Sequence, residues 1–244
     1  MTGHAGHLLG WRGAYVTLAV LNLLGAILVL WLLPASKNFV SHRDLAGALQ
    51  TLRRHLVNPR LMAVCAMGFC VLFSLVGTFT YVNLYLAEPP FNLSASGLAN
   101  IFSVYLLGVM VTPIAGRFIV RFGFLRSVLG ALSLSGAGLL LTLVPSLPVV
   151  ILGLAVCSCG VFICQSATIS HIAANVREGR SLATGLYYFS YYAGGAAGSW
   201  VAGLAYEGWN WGGSVVSIIL FQMLAVTIAV RYLKPKGSTH PVAS

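Results

Sequence analysis

Residues Ser127–Val176 read SVLGALSLSGAGLLLTLVPSLPVVILGLAVCSCGVFICQSATISHIAANV, 50 positions without one Asp, Glu, Lys or Arg. A membrane's hydrocarbon core of ~30 Å is crossed by about 20 helical residues, so this stretch is too long for one crossing and holds two. The break lies in VPSLPVV, where Pro145 and Pro148 predict a tight turn between the two spans. Arg117, Arg121 and Arg126 precede the stretch and Arg177 and Arg180 follow it. Both feet of the hairpin therefore stand on the same, basic side of a membrane.

The same pattern repeats outward from this hairpin. Apolar windows of about 20 residues place further spans at Ala14 to Leu33, about Leu61 to Ala87, about Ser94 to Gly116, about Leu182 to Tyr206 and about Gly212 to Tyr232. The hairpin itself supplies Phe124 to Val144 and the span after the turn. The expected fold is all-α, a polytopic membrane protein with about seven transmembrane helices. Mean hydropathy is +0.89 and 7% of residues are charged, whereas a soluble surface needs roughly a quarter. A net charge of +10 does not signal a nucleic-acid partner, because the bases stand in small groups at the ends of apolar runs. The lipid bilayer is the expected partner, with anionic headgroups as counter-charge.

Thirteen of the fourteen Lys and Arg residues fall on one side of this layout: Lys37, Arg43, Arg53, Arg54 and Arg60; Arg117, Arg121 and Arg126; Arg177 and Arg180; Arg231, Lys234 and Lys236. The other side receives Arg12, Glu88 and Glu207. By the positive-inside rule the basic side and the carboxy terminus are cytoplasmic, as for a multi-pass protein of a bacterial inner membrane. An odd span count then starts outside, although the first apolar run lacks the basic segment and cleavage site of a signal peptide. That combination raises the expectation of an incomplete chain. Cys65, Cys70, Cys157, Cys159 and Cys164 all fall in spans, where cysteine is expected as a small apolar filler.

Between the first and second spans lies KNFVSHRDLAGALQTLRRHLVNPR. Leu45, Leu49, Leu52 and Leu56 recur at helical spacing after a capping box of Ser41 and Asp44, which predicts an amphipathic connecting helix on the membrane surface. Near each end of the chain, Gly10-Trp11 and Gly208-Trp209 precede an apolar span in the manner of a glycine turn with an interfacial tryptophan. Parallel repeats of this kind mark transporter halves. The expected division is 1–36 as the end of one repeat, 37–60 as a linker, 61–236 as a six-helix bundle and 237–244 as a disordered tail.

The segment AGRFIVRFGFLR, Ala115–Arg126, has two glycines suited to a short turn with close helix approach and three arginines suited to the membrane interface and to capping the preceding helix. It resembles the second-half copy of the loop motif G-x-x-x-D-R-x-G of the major facilitator superfamily, with Gly116, Arg121 and Gly123 in the matching places. Val120 stands where the family has its acid, which weakens the charge relay the full motif provides. The resemblance covers almost the whole chain and implies helices six to twelve of a twelve-helix plan, a partial form of that helical bundle. GTFTYVNLYLAEPPFNLSASG and AGGAAGSWVAGLAYEGWNW are similar to bacterial sugar-efflux and multidrug-type permeases of the YnfM-like kind.

Gly195, Ser199 and Gly203 lie four apart, with Gly194 and Gly198 beside them, a face on which another helix can pack closely. The family's way of working implies that such a face lets helices rock. Polar or aromatic groups at mid-depth are the candidates for a solute pathway: Thr80, Asn83, Asn100, Gln165 and Tyr191. Tyr187 and Tyr188 suit an interfacial aromatic belt. No span holds a mid-depth acid or base, and His171 suits packing better than proton transfer. No cofactor or metal spacing, Walker A sequence or G-x-S-x-G stands in the chain, so enzyme chemistry finds no support. The resemblance implies transport of small solutes by alternating access, with proton-coupled efflux of sugars or amphipathic drugs. The alternatives are a truncated or half-size fragment that pairs with a missing amino-terminal half or a second copy, and a seven-helix receptor or sensor.

Overall fold

A computed structural model describes residues 2–32 and 45–234, all of whose regular structure is helical. Lys37, Arg43, the Ser41–Asp44 capping box, Lys236 and the tail 237–244 lie outside the described residues. Eight helices follow in order: α1 (Thr2–Leu32), α2 (Leu45–Val57), α3 (Pro59–Ala87), α4 (Ala95–Ile101), α5 (Val104–Phe122), α6 (Phe124–Leu141), α7 (Leu147–Asn175) and α8 (Arg180–Tyr232).

Six helical stretches are long and apolar enough to cross a membrane. The longest, α8, has 53 residues and at ~1.5 Å per residue would reach about 80 Å, far beyond one bilayer. It is two spans. Trp209 (φ −139°, ψ 27°) and Asn210 (φ 50°, ψ −147°) leave helical geometry, and the chain doubles back there. Gly194 and Gly198 of the outgoing arm touch the backbone of Phe69 and Phe73 in α3. Phe221 of the returning arm stacks on Phe73 with ring centroids 3.7 Å apart. The two arms are tied at the bend, where the Ser214 hydroxyl donates to Ala202 O at 2.9 Å. With α8 counted twice, the described chain crosses seven times, as expected.

The central helix is α3, 78% buried over its span, against 22% for α4 and α5 together. Its start is fixed by Asn58, whose Oδ1 accepts from the amides of Arg60 and Leu61, with Pro59 in the first turn. The short break between α4 and α5 is a tightening more than a turn. Ser103 N bonds Asn100 O, and Leu106 N bonds Ser103 O, both at 3.0 Å, a three-residue step within one crossing. In the α6–α7 hairpin Pro145 sits in the turn, but Pro148 belongs to the first turn of α7.

Two expectations need correction. Gly10-Trp11 is not a glycine turn, because α1 runs unbroken through both; only Gly208-Trp209 stands at a bend. The third span does not stop at Gly116, since nothing there breaks a helix and α5 continues to Phe122. The connecting helix α2 keeps part of its leucine stripe on the surface and meets the bundle through a neighbouring face. Leu49 and Leu56 are exposed, Leu52 is half-buried and His55 is buried. Thr51 and His55, one turn apart, close on Gly179, with His55 Nε2 3.2 Å from Gly179 O. Gly179 has φ +56°, and its lack of a side chain makes room for both residues.

Candidate functional site

A groove of about 580 Å³ opens between α5 and α7. Thr112 and Pro113 form one bank; Gln165, Ser166 and Ser170 form the other, with Phe162 beside them. The side chain of Thr112 is satisfied by Gly108 O at 3.1 Å. Gly108 also shapes the groove, because the ring of Phe162 occupies the place a Cβ would take. From Phe162 an aromatic chain runs inward, edge-on to Tyr105 at 6.1 Å and on to Phe79, 4.2 Å from Tyr105. Aromatic walls with a few polar groups suit an organic solute better than a bare ion.

Of the residues singled out from sequence, only Gln165 lines this groove. Thr80 on α3 and Asn100 on α4 are exposed. Asn83 is half-buried, its amide donating to Phe79 O at 2.6 Å. That bond leaves Asn83 Oδ1 buried without a partner, an acceptor held out of water and open to a donor. Tyr191 is 7% exposed and sits inside a tyrosine cluster, 5.9 Å from Tyr187 and 6.2 Å from Tyr188 between ring centroids. Tyr188 and Tyr192 are the cluster's exposed members. Tyr187 is not part of an interfacial belt: it is fully buried, and its hydroxyl meets Thr168 Oγ1 at 2.9 Å.

The small-residue face of α8 packs against α3 within the same bundle. A Cβ at Gly194 would fall on Phe69 O, one at Gly198 would lie 2.5 Å from Phe73 O, and one at Gly195 would lie 2.8 Å from Leu72. Gly203 makes room for Tyr81, whose hydroxyl donates to Ser199 O at 2.5 Å. Glycine here sets the distance between two helix backbones.

Within the loop motif, Gly123 alone makes the turn, at φ +79° and ψ 161°. Gly116 lies inside α5 with open space where its Cβ would be, so it provides no close approach. The Ser127 hydroxyl, and not an arginine, meets the end of α5, 3.2 Å from Phe118 O and 2.8 Å from Gly123 O. Arg121 lies over the ring of Phe122 at 5.4 Å.

Sequence reasoning passed over Gln222. It is 4% exposed on the returning arm of α8 and donates to Ser135 Oγ of α6 at 2.9 Å. Ser135 lies 3.4 Å from Cys157 Sγ of α7, so one polar thread joins three helices. A single glutamine in an otherwise apolar span was the available signal. All five cysteines are free thiols, four of them buried. Among the described residues no group of three or more His, Cys, Asp or Glu is arranged to hold a metal ion.

Residues 88–244 match the sequence model of the Major Facilitator Superfamily. The chain is 30% identical over 96% of its length to the uncharacterized MFS-type transporter YybF of Bacillus subtilis, of which it covers 58%. It is 31% identical over 92% of its length to an uncharacterized transporter of Buchnera aphidicola from Schizaphis graminum, covering 54% of it. Its identity to the inner membrane transport protein YnfM of Escherichia coli is 28% over 91% of the chain and 53% of that relative. The chain thus spans little more than half the length of these relatives. Seven crossings, the two-armed α8 around α3 and these matches together establish that the chain is a multi-pass membrane protein belonging to the Major Facilitator Superfamily.

Proposed function

We infer that this chain forms one bundle of a small-solute transporter working by alternating access, with the α5–α7 groove as part of the solute path. The observation that carries the reading is the groove itself: a polar bank of Gln165, Ser166 and Ser170 beside an aromatic wall, open on one side. In alternating access a second bundle faces such a surface and the two tilt about it. On this reading 61–236 is the bundle, 37–60 the linker, and 1–36 the last span of the preceding repeat. Thr80, Asn83, Asn100 and Tyr191 join Gln165 along the path, and of the motif residues Gly116, Arg121 and Gly123 the last makes the turn at the basic end. The positive-inside distribution supports a cytoplasmic basic end and carboxy terminus in a bacterial inner membrane.

The substrate class we propose is a sugar or an amphipathic drug, exported in exchange for protons. Aromatic faces at Phe162, Tyr188 and Tyr192 suit rings and lipophilic cations, and export rests on the resemblance of the segments GTFTYVNLYLAEPPFNLSASG and AGGAAGSWVAGLAYEGWNW to efflux-type permeases. Proton coupling rests on family likeness, because the spans hold no mid-depth carboxylate. A second reading is that the bundle carries nothing by itself. It is favoured by α1, of whose span 0% is buried, and by a groove with no opposing wall among the described residues. The wall would then come from a second copy or from an amino-terminal half. The family match leaves a receptor or sensor without support.

Vesicles containing the 244-residue chain, loaded with labelled sugars or lipophilic cations, test this with and without a pH gradient. Gradient-driven flux is the expected result for an autonomous carrier. Absence of flux from chain shown to be inserted would sink autonomous transport and leave the second reading.

A further inference from the structure

At the basic end of the bundle, helix ends enclose a cavity of about 460 Å³. Arg60 enters it from the start of α3, Phe124 from the start of α6, His171 and Asn175 from the end of α7, and Lys234 from just beyond α8. Arg60, Asn175 and Lys234 are exposed at the rim, while Leu61 and Ile172 are buried beneath it. Among the described residues no carboxylate lines the cavity. Neither Arg60 nor Lys234 has a carboxylate partner among the described residues; the nearby Arg54–Glu178 pair, at 3.7 Å, lies outside the cavity lining.

The imidazole of His171 is held in a defined state. Its ring stacks on Phe124 with centroids 4.1 Å apart. Asn175 Nδ2 lies 2.9 Å from His171 O and 3.3 Å from His171 Nδ1. A carbonyl only accepts, so the amide nitrogen faces it and also donates to Nδ1. Nδ1 is then the acceptor, and the neutral ring carries its proton on Nε2. The cavity therefore combines two unpaired cations, an imidazole N–H donor and an apolar wall.

The geometry points to a binding site in this cavity for the phosphodiester headgroup of an anionic membrane lipid. Arg60 and Lys234 take the phosphate charge through charge-assisted hydrogen bonds, and Leu61 and Ile172 cover the glycerol and upper acyl carbons. Basic pockets between helix ends are where anionic headgroups bind membrane proteins. The apolar wall favours a lipid over a free phosphate ion, which shares the same charge chemistry but has nothing to place against that wall.

Native mass spectrometry of the purified full chain in detergent, titrated with phosphatidylglycerol or phosphatidylcholine, tests the proposal. Phosphatidylglycerol should be retained in preference to phosphatidylcholine. The Arg60→Gln/Lys234→Gln variant should weaken its retention by roughly thirtyfold, about fivefold for each cation removed. Arg60→Lys/Lys234→Arg should keep it, and so should Arg53→Gln/Arg54→Gln, which removes two cations of α2 outside the cavity. Circular dichroism of each variant checks that the helices persist. Equal retention of both lipids, an undiminished adduct in the first variant, or an equal loss in the α2 variant would overturn the site. Displacement of phosphatidylglycerol by equimolar inorganic phosphate would overturn the lipid as its occupant.

Discussion

Substituting Gly198→Ala adds one methyl group where α8 presses against the backbone of α3. Its Cβ would lie 2.5 Å from Phe73 O and 2.8 Å from Phe73 Cα, whereas non-bonded carbon contacts relax at about 3.5–4.0 Å. Both obstacles are backbone, so no rotamer change relieves them. Nor can α3 easily retreat. The Phe73 ring is already stacked at 3.7 Å on Phe221 of the returning arm, and at Gly77 a Cβ would be 3.2 Å from Ala202 on one arm and 3.3 Å from Ile218 on the other. The central helix is gripped by both arms of α8. Overpacking of this sort costs about 2–3 kcal/mol, which at roughly 2–4 °C per kcal/mol for a chain of this size lowers Tm by about 5–10 °C. Gly185→Ala on the same helix is the control, because no heavy atom lies within 4 Å of its Cβ and the helix gains propensity. The buried thiols Cys65, Cys70, Cys157 and Cys164 supply the assay, since a thiol-reactive fluorogenic dye reports their exposure on heating. If Gly198→Ala melts together with Gly185→Ala, the grip on α3 is not what the close approach implies.

Gln222→Leu breaks the thread to Ser135, and the same melt should show a loss of about 0.6–1.7 kcal/mol, the range for hydrogen bonds between membrane helices; an unchanged melt would mean the bond contributes nothing net. Gly179→Ala places a Cβ 2.5 Å from Thr51 Cγ2 and 3.0 Å from His55 Nε2 at a residue with φ +56°. Undocking of α2 should follow, seen as faster tryptic cleavage after Arg53 and Arg54, and an unaltered cleavage rate would contradict the docking. Gln165→Ala should leave the melt in place and raise KM for transport roughly fivefold, the loss of one hydrogen bond of about 1 kcal/mol. A KM identical to the parent's would remove Gln165 from the solute path.

The spans were legible because hydropathy is a local property: fifty uncharged residues around Pro145 cannot be anything but two crossings. What the sequence concealed depends on which helix meets which. The stripe from Gly194 to Gly203 announced a close approach, but nothing in it named α3, whose contacting groups are the backbone of Phe69 and Phe73 and the ring of Tyr81. In sequence Tyr187 suits an interfacial belt and Tyr191 a solute path; a Thr168 hydroxyl one helix away makes the first a fully buried anchor, and the cluster around the second leaves Tyr188 and Tyr192 exposed instead.

The amphipathic helix α2 carries the same lesson into function. Its leucine stripe marked it as a surface helix, and the bundle takes the neighbouring stripe of Thr51 and His55, because Gly179 offers a carbonyl and an empty Cβ position there. Leu49 and Leu56 are thereby left exposed, an arrangement suited to a membrane surface, where leucines enter the acyl boundary. If 37–60 joins two halves as proposed, a helix tied on one side to the α7–α8 connection and on the other to a membrane surface would pass any tilt of the bundle along the chain. That is the mechanical role a connection between two halves requires, and it follows from a glycine and a histidine that sequence periodicity gave no reason to choose.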